Sequence, residues 1–166
     1  MTFKLRPPRG PKETVLQRQC LNIIAMIPRC QVVNPDAMKT AAIDLLLDRQ
    51  LANVSPTAPA LVVWRQNTGV FWVGGEGTDR GGKKRPITAS IPGTPDIVGM
   101  VAPFGVFFGC EVKTPKGVHS AEQKRFQRMV ERCGGIYILC RNPYDLRRQI
   151  EEALLGLSSG FAPPAE

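Results

Sequence analysis

Asp96, Glu111 and Lys113 are the residues whose types and spacing could carry out chemistry together. They lie in two strand-like segments, DIVGMV (96–101) and GVFFGCEVK (105–113), which flank a short turn. If the turn centres between Pro103 and Phe104, Asp96 lies directly across from Glu111, with Cβ atoms about 4.5–5.5 Å apart. Lys113 projects from the same face as Glu111, because side chains alternate along a strand. The spacing predicts two carboxylates and one ammonium on one patch of an otherwise apolar sheet.

Such a patch is typical of a site for a divalent cation. Two carboxylates this close repel each other and resist joint ionisation unless a cation lies between them. Mg²⁺ takes oxygen ligands and usually keeps several waters. A metal held in this way lowers the pKa of a bound water and stabilises the charge that grows on a phosphate. Lys113 could orient or deprotonate that water, or offset charge in the transition state.

The same residues have a purely structural interpretation. Asp96 could be a turn residue after Pro95, and Glu111 and Lys113 could form a solvated strand face. The metal site is favoured because the Pro-Asp pair, the hairpin and a capped helix after the hairpin occur in one succession.

These residues resemble the signature of the PD-(D/E)xK nuclease superfamily. More narrowly, the chain resembles the virus-type replication-repair nuclease domain, VRR-NUC, from about Glu13 to Cys140. The resemblance is sharpest in four short stretches: RQNTG (65–69), GTPD (93–96), EVK (111–113) and SAEQ (120–123).

The resemblance implies roles for individual residues. Asp96 and Glu111 would bind Mg²⁺ or Mn²⁺, and Lys113 would be catalytic. Gln123 would complete the active-site motif, and Glu13 matches an acidic position that approaches the metals. We also count the backbone carbonyl of Val112 among the candidate metal ligands.

The implied function is metal-dependent hydrolysis of DNA phosphodiester bonds. Stand-alone members of the family resemble Holliday-junction resolvases in being small and homodimeric, since cutting two strands symmetrically requires two sites. We therefore expect a homodimer that acts on branched DNA in phage or bacterial replication and repair. The alternatives are a non-enzymatic nucleic-acid-binding module and a nuclease that acts on RNA or on linear DNA ends. The binding module is disfavoured because Asp96, Glu111, Lys113 and Gln123 are all present.

Basic and polar residues around these motifs are candidates for contact with nucleic acid. Arg65 and Asn67 could bind the scissile strand or merely satisfy a turn, and the run 83–85 suits phosphate binding or a solvated surface equally well. A loop histidine is more often solvated than functional. The full set of candidates is Arg65, Asn67, Lys83, Lys84, Arg85, Lys116, His119 and Lys124.

Composition limits the class of protein. The chain has 166 residues, 43% of them hydrophobic, which suits one globular domain. No stretch approaches the roughly 18 apolar residues of a membrane span, and the basic, proline-rich start lacks the apolar run of a secretory signal. The net charge of +8 favours a polyanionic partner.

The cysteines indicate a reducing compartment. There are five, with no C-x-x-C pair, and the chain contains a single histidine. We therefore expect no disulfide and no zinc site. A cytoplasmic location is expected from this, and the resemblance implies a bacterial or phage-infected cell.

The residue pattern in the first part of the chain predicts two helices after a basic arm. Residues 1–11 are expected to form a flexible basic arm, because their prolines disfavour regular hydrogen bonding. Apolar residues recur at three- and four-residue steps from about Lys12 to Ile27, which predicts a helix. A second helix is expected from Asn34, a good N-cap before a proline, to about Leu51.

Strand character begins near residue 61. The segments 61–66 and 70–73 flank Asn67-Thr68-Gly69, which favours a hairpin or a bent strand. Residues 74–86 are glycine-rich and basic, and we expect a mobile surface loop or the tip of a long hairpin.

Ser120, with Gln123 three residues later, forms a capping box that opens a helix. The helix is expected to stop at the glycine pair 134–135. Its inward-facing residues are expected to be Phe126, Met129, Val130 and Cys133.

The strand 136–140 is wholly apolar and is expected to be buried on both faces. The succession of strand, helix and strand in this region implies a parallel right-handed crossover. A final helix is expected from Pro143 to about Leu155, with Gly156 ending it and a loose tail over 157–166.

These elements predict one α/β domain over residues 12–156, with a mixed central sheet flanked by helices. The resemblance implies that this sheet has the restriction-endonuclease-like arrangement. The segments 34–51 and 74–86 are expected to be additions to the compact family pattern.

Overall fold

A computed structural model of the chain describes residues 12–33, 48, 51–66, 70–73, 85–88 and 90–160. The predicted arm at 1–11 lies outside these residues, as does the predicted helix at 34–51 apart from the helical residues Asp48 and Leu51. The described elements, in chain order, are α1 (Glu13–Ala25), β1 (Cys30–Val33), β2 (Ala60–Arg65), β3 (Val70–Val73), β4 (Arg85–Thr88), β5 (Ile97–Ala102), β6 (Val106–Val112), α2 (Ala121–Arg132), β7 (Ile136–Cys140) and α3 (Pro143–Gly160).

The central sheet has five strands in the order β1-β2-β5-β6-β7. Strands β2, β5 and β6 are antiparallel to their neighbours in this group, whereas β1 and β7 lie parallel to β2 and β6 respectively. The sheet is therefore mixed, and the predicted α/β class with flanking helices is confirmed. The predicted parallel connection through α2 is also present.

Helices cover both faces of the sheet. Side chains alternate along β6, so neighbouring residues of this strand contact helices on opposite faces. Phe108, Cys110 and Val112 are buried on the face where α1 and α3 supply most of the core, including Cys20 and Leu146. On the opposite face, the ring of Phe107 lies 6.2 Å from that of Phe126 on α2. None of the helices in the described ranges is both long and apolar enough to cross a membrane.

The predicted register of the β5–β6 hairpin is confirmed. Ile97 pairs with Cys110, and Val101 pairs with Val106. The next positions outward are Asp96 and Glu111, as the turn predicts. The hairpin therefore delivers both carboxylates to the same end of the sheet.

The hairpin alternative for residues 61–73 is wrong. Strand β3 pairs with β4 in a separate two-stranded sheet, because both edges of β2 are already hydrogen-bonded to β1 and β5. The β3–β4 pairing brackets the glycine-rich segment, which matches the hairpin-tip interpretation of 74–86. Residues 74–84 themselves lie outside the described part of the chain.

Two expectations about burial are wrong. On α2 only Val130 is buried, whereas Met129 is 48% exposed and Cys133 is exposed. Both residues line an open apolar groove beside Phe107 instead of facing the interior. Strand β7, at one edge of the sheet, is not buried on both faces: Ile138 and Cys140 are buried, whereas Tyr137 and Leu139 on the other face are only partly covered.

Helix α3 continues to Gly160 and does not end at Gly156 as predicted. Leu154 is buried before the glycine and Leu157 packs against the core after it. The core contacts on both sides therefore outweigh the helix penalty of a single glycine, about 1 kcal/mol. Residues 157–160 thus belong to the helix, and 161–166 lie outside the described residues.

A glycine substitution within α3 tests where this helix ends, and a substitution after α2 provides the contrast. Replacing Gly156 by Ala should raise the free energy of unfolding by about 0.5–1 kcal/mol, because the site is helical with open space around a Cβ. Replacing Gly134 by Ala should lower it, because Gly134 follows α2 with φ of 75°. Urea denaturation measures both. A loss of stability in Gly156→Ala would show that α3 stops at this glycine.

Candidate metal centre

Three carboxylates from separate parts of the fold meet at one end of the sheet. Glu13 is the first residue of α1, Asp96 immediately precedes β5, and Glu111 is the penultimate residue of β6. One oxygen atom from each lies within 4.8 Å of the other two. The hairpin register places Asp96 next to Glu111, while the start of α1 brings in Glu13.

Asp96 is fixed through both of its carboxylate oxygens. Oδ2 accepts a hydrogen bond from the backbone N–H of Val112 at 2.9 Å, and Oδ1 accepts one from Nε2 of Gln17 at 2.9 Å. Burial raises the pKa of Asp96 above its usual value, and the bond from Val112 and the charge of Lys113 partly offset that rise. The side chain is therefore held at the open end of the hairpin with its orientation set.

Glu111 is the most deeply buried acid of the site, with 1% of the residue exposed. Its Oε1 accepts hydrogen bonds from Nζ of Lys113 at 2.6 Å and from the side-chain amide of Gln123. Its Oε2 is buried and has no hydrogen-bond partner among the described residues. Burial raises the pKa of Glu111 to about 7, despite the favourable contact with Lys113.

These acids fit a hard divalent cation. The buried Oε2 of Glu111 lacks a hydrogen-bond partner among the described residues, and one oxygen of Glu111 lies within 4.8 Å of an oxygen of Glu13 and of Asp96. The three ligand groups are all oxygen donors, which suits Mg²⁺ or Mn²⁺ and disfavours soft metals.

Gln123 is positioned by the capping box of α2. Oε1 of Gln123 accepts from the backbone N–H of Ser120 at 2.9 Å, and Oγ of Ser120 accepts from the N–H of Gln123 at 3.2 Å. Since the amide oxygen is used at the helix cap, the amide nitrogen is directed at Glu111. A glutamate could form the same capping box but would offer no donor to Glu111. This difference explains why a glutamine suits position 123.

Lys113 contacts two of the three acids. Its Nζ lies 2.6 Å from Glu111 and 3.4 Å from Glu13, and the residue is 8% exposed. Burial acts to lower the pKa of Lys113, but the bond to Glu111 and the nearby carboxylates outweigh it and raise the pKa. Lys113 in the metal-free protein is thus an ammonium that donates hydrogen bonds and offsets negative charge, and its role in deprotonating a water stays a prediction.

Gln17 is a site residue that the sequence did not reveal. It is buried, and its side chain is bonded to Asp96. The available signal was its position four residues after Glu13, which places both side chains on one face of a helix.

His119 lies near the site, but it is not the solvated loop residue expected of a lone histidine. It is buried, and its ring stacks on that of Tyr137 with centroids 6.1 Å apart. Burial lowers the pKa of His119, as do the nearby charges of Lys124, Lys113 and Arg141. Its Nε2 also lies 3.5 Å from the hydroxyl of Tyr137, so the ring packs against that residue.

Arg141 is a second residue near the site that the sequence did not reveal. Its Nη1 donates to the backbone carbonyls of Thr114, Pro115 and Gly117 at 3.2, 3.4 and 2.7 Å. These bonds hold the loop that leads from Lys113 to α2. Only the fold brings Arg141, which follows β7, to this loop.

The remaining candidates are exposed, belong to other elements or lie outside the described residues. Arg65, Lys116 and Lys124 are exposed, and Arg65 contributes a charge that lowers the pKa of Asp96. Val112 ends β6 beside Asp96 and contributes its N–H there. Arg85 belongs to β4, while Asn67, Lys83 and Lys84 lie outside the described part of the chain.

Comparisons of the chain with protein-family models, with curated proteins and with solved structures gave no match. The geometry of the site and the sequence motifs are therefore the basis for assigning a function.

Glu111 should make the stability of the metal-free protein depend on pH. Its pKa rises from 4.5 to about 7 on folding, so between these values the folded state binds more protons than the unfolded state. The free energy of unfolding therefore falls as pH increases, by up to about 3 kcal/mol from this group. Denaturation in EDTA at several pH values should give a smaller fall for Glu111→Gln. Equal pH dependence in both proteins would contradict the raised pKa.

Divalent cations should stabilise the folded protein. A metal at 100 times its dissociation constant adds about 2.7 kcal/mol if it binds only the folded state, so Mg²⁺ or Mn²⁺ should raise the melting temperature. Asp96→Asn and Glu111→Gln should lose this increase. Glu131→Gln, which removes an exposed acid on α2, is the matched control. An increase retained in both site variants would place the metal elsewhere.

Proposed function

We propose that this protein is a Mg²⁺- or Mn²⁺-dependent nuclease that hydrolyses phosphodiester bonds in DNA. The observation that carries the proposal is the meeting of the Glu13, Asp96 and Glu111 carboxylates, together with a buried oxygen of Glu111 that has no hydrogen-bond partner among the described residues. Three elements contribute one acid each, and such convergence is costly for folding unless a cation offsets the charge.

Lys113 and Gln123 favour a nuclease over a simple cation-binding protein. Lys113 contacts two of the acids and remains charged, which suits stabilisation of negative charge on a phosphate. The order of these residues along the chain resembles the PD-(D/E)xK signature, and we extend the proposal to the VRR-NUC family and to a restriction-endonuclease-like core. The mixed sheet and the hairpin register support this extension.

Each side chain has a part in the proposed reaction. Glu13, Asp96 and Glu111 would hold the cation, which supplies a Lewis acid and a bound water of lowered pKa. Gln17 keeps Asp96 oriented, and Gln123 with Lys113 keeps Glu111 oriented. The ammonium of Lys113 orients the attacking water and offsets charge on the phosphate.

The choice of DNA follows from charge and from the resemblance. The net charge of +8 favours a polyanion, the charge of exposed Arg65 acts on Asp96, and Lys116 and Lys124 are exposed shortly after Lys113 and Gln123 in the chain. Branched DNA, a homodimer with two sites, and a setting in phage or bacterial replication and repair are proposed from the resemblance to junction resolvases.

A cleavage assay tests the function directly. Four-way junction, flap, linear duplex and single-stranded DNA, with a matched RNA strand, are incubated with Mg²⁺, Mn²⁺ or EDTA. We expect metal-dependent cleavage of DNA, with Asp96→Ala and Lys113→Ala each at least about 100-fold slower. Glu131→Gln should cleave at the wild-type rate.

The other outcomes separate the alternatives. Undiminished cleavage by Asp96→Ala or Lys113→Ala would show that the acids do not form the active site. Binding of junctions without cleavage in any metal would identify a non-enzymatic binding module, and cleavage of RNA alone would replace DNA as the substrate.

A further inference from the structure

A cationic cleft adjoins the acidic site on the outer side of α1. It is lined by residues 14, 15, 17, 18 and 21 of α1 and by Arg65 at the end of β2. Positions 14, 17, 18 and 21 share one side of the helix, at spacings of three and four residues. The core residues of α1, including Leu16 and Cys20, occupy another side.

The cleft and the acidic site share a wall. The side chain of Gln17 lines the cleft, and its Nε2 bonds to Asp96. Arg65 is held close by the pairing of β2 with β5, in which it lies opposite Ile97, and by the bond from the N–H of Gln66 to the carbonyl of Asp96 at 2.8 Å. A chain that passes through the acidic site can therefore continue directly into the cleft.

The charges in the cleft suit an anion. Arg18 and Arg65 are exposed, and neither forms an ion pair with a carboxylate among the described residues. No acid lines the cleft among the described residues, and the hydroxyl of Thr14 adds a donor. The planar guanidinium group presents paired donors that match two oxygens of a phosphate.

We propose that this cleft binds a backbone phosphate next to the phosphodiester that enters the acidic site. The proposal rests on the nuclease function and assigns Arg18 and Arg65 as the phosphate-binding residues. Val15 and Leu21 supply apolar surface along the cleft for the sugar. The ligand chemistry is a phosphodiester of a polynucleotide strand, which DNA and RNA share.

Salt dependence of binding tests this assignment without any cleavage. Fluorescence anisotropy is measured in EDTA with a labelled DNA strand and with an RNA strand of the same sequence, over a range of NaCl concentrations. Each phosphate contact contributes about 0.7–0.9 to the slope of log affinity against log salt. Arg18→Ala and Arg65→Ala should each reduce the slope by about that amount and weaken binding about three- to tenfold at low salt.

Two further variants control for charge and shape. Arg132→Ala removes the same charge from the end of α2, about 14 Å along the helix from Gln123, and should bind as the wild type does. Arg18→Lys keeps the charge and should retain the slope, with weaker binding because the paired donors are lost.

The outcomes separate this proposal from the nuclease function. Wild-type salt slopes in Arg18→Ala and Arg65→Ala would overturn the assignment of the cleft as a phosphate site, even if the protein cleaves DNA. A salt slope reduced equally in Arg132→Ala would overturn it as well. If Arg18→Ala and Arg65→Ala reduce the salt slope but the wild-type protein cleaves nothing in any metal, the phosphate site is supported and the nuclease function is overturned. Equal reductions on DNA and RNA support a contact to phosphate alone, and a reduction on only one of them supports a contact that includes its sugar.

Discussion

The burial of Glu111 is the constraint on which the site depends. A carboxylate that is 1% exposed needs compensation for the water it has lost. Lys113 supplies a charge and Gln123 supplies a donor, and each is held by another element, Lys113 by the ladder to β7 and Gln123 by the cap of α2. The position of one carboxylate therefore ties β6, β7 and α2 together.

This arrangement is better suited to function than to stability. A buried ion pair seldom stabilises a fold more than apolar residues of the same size, and here one oxygen of Glu111 stays without a partner among the described residues. Burial also raises the pKa values of Glu111 and Asp96, so their negative charges oppose folding at neutral pH. Functional sites commonly carry such local costs. A cation beside the three carboxylates would offset the cost and give the site its proposed chemistry.

Helix α1 joins the core, the acids and the cleft. One side carries the apolar residues that pack on the sheet, among them Leu16, Cys20 and Ile24. Its first residue, Glu13, reaches Lys113, and Gln17 reaches Asp96. The neighbouring side carries Arg18 into the cleft. Core packing on one side thus sets the position of the proposed metal ligand and of the proposed phosphate contact, and displacement of the helix would disturb both.

Features that depend on local geometry could be predicted from the residues alone. Strand alternation and turn position placed Asp96 opposite Glu111, and residue spacing identified the capping box of Gln123, because both follow from hydrogen bonds between residues close in the chain. The tertiary structure decided the rest: the approach of Glu13, the burial of Gln17 and His119, the exposure of Met129 and the continuation of α3. These depend on which elements pack together and how much surface each covers, and side-chain periodicity shows which way a residue faces but not what lies opposite it.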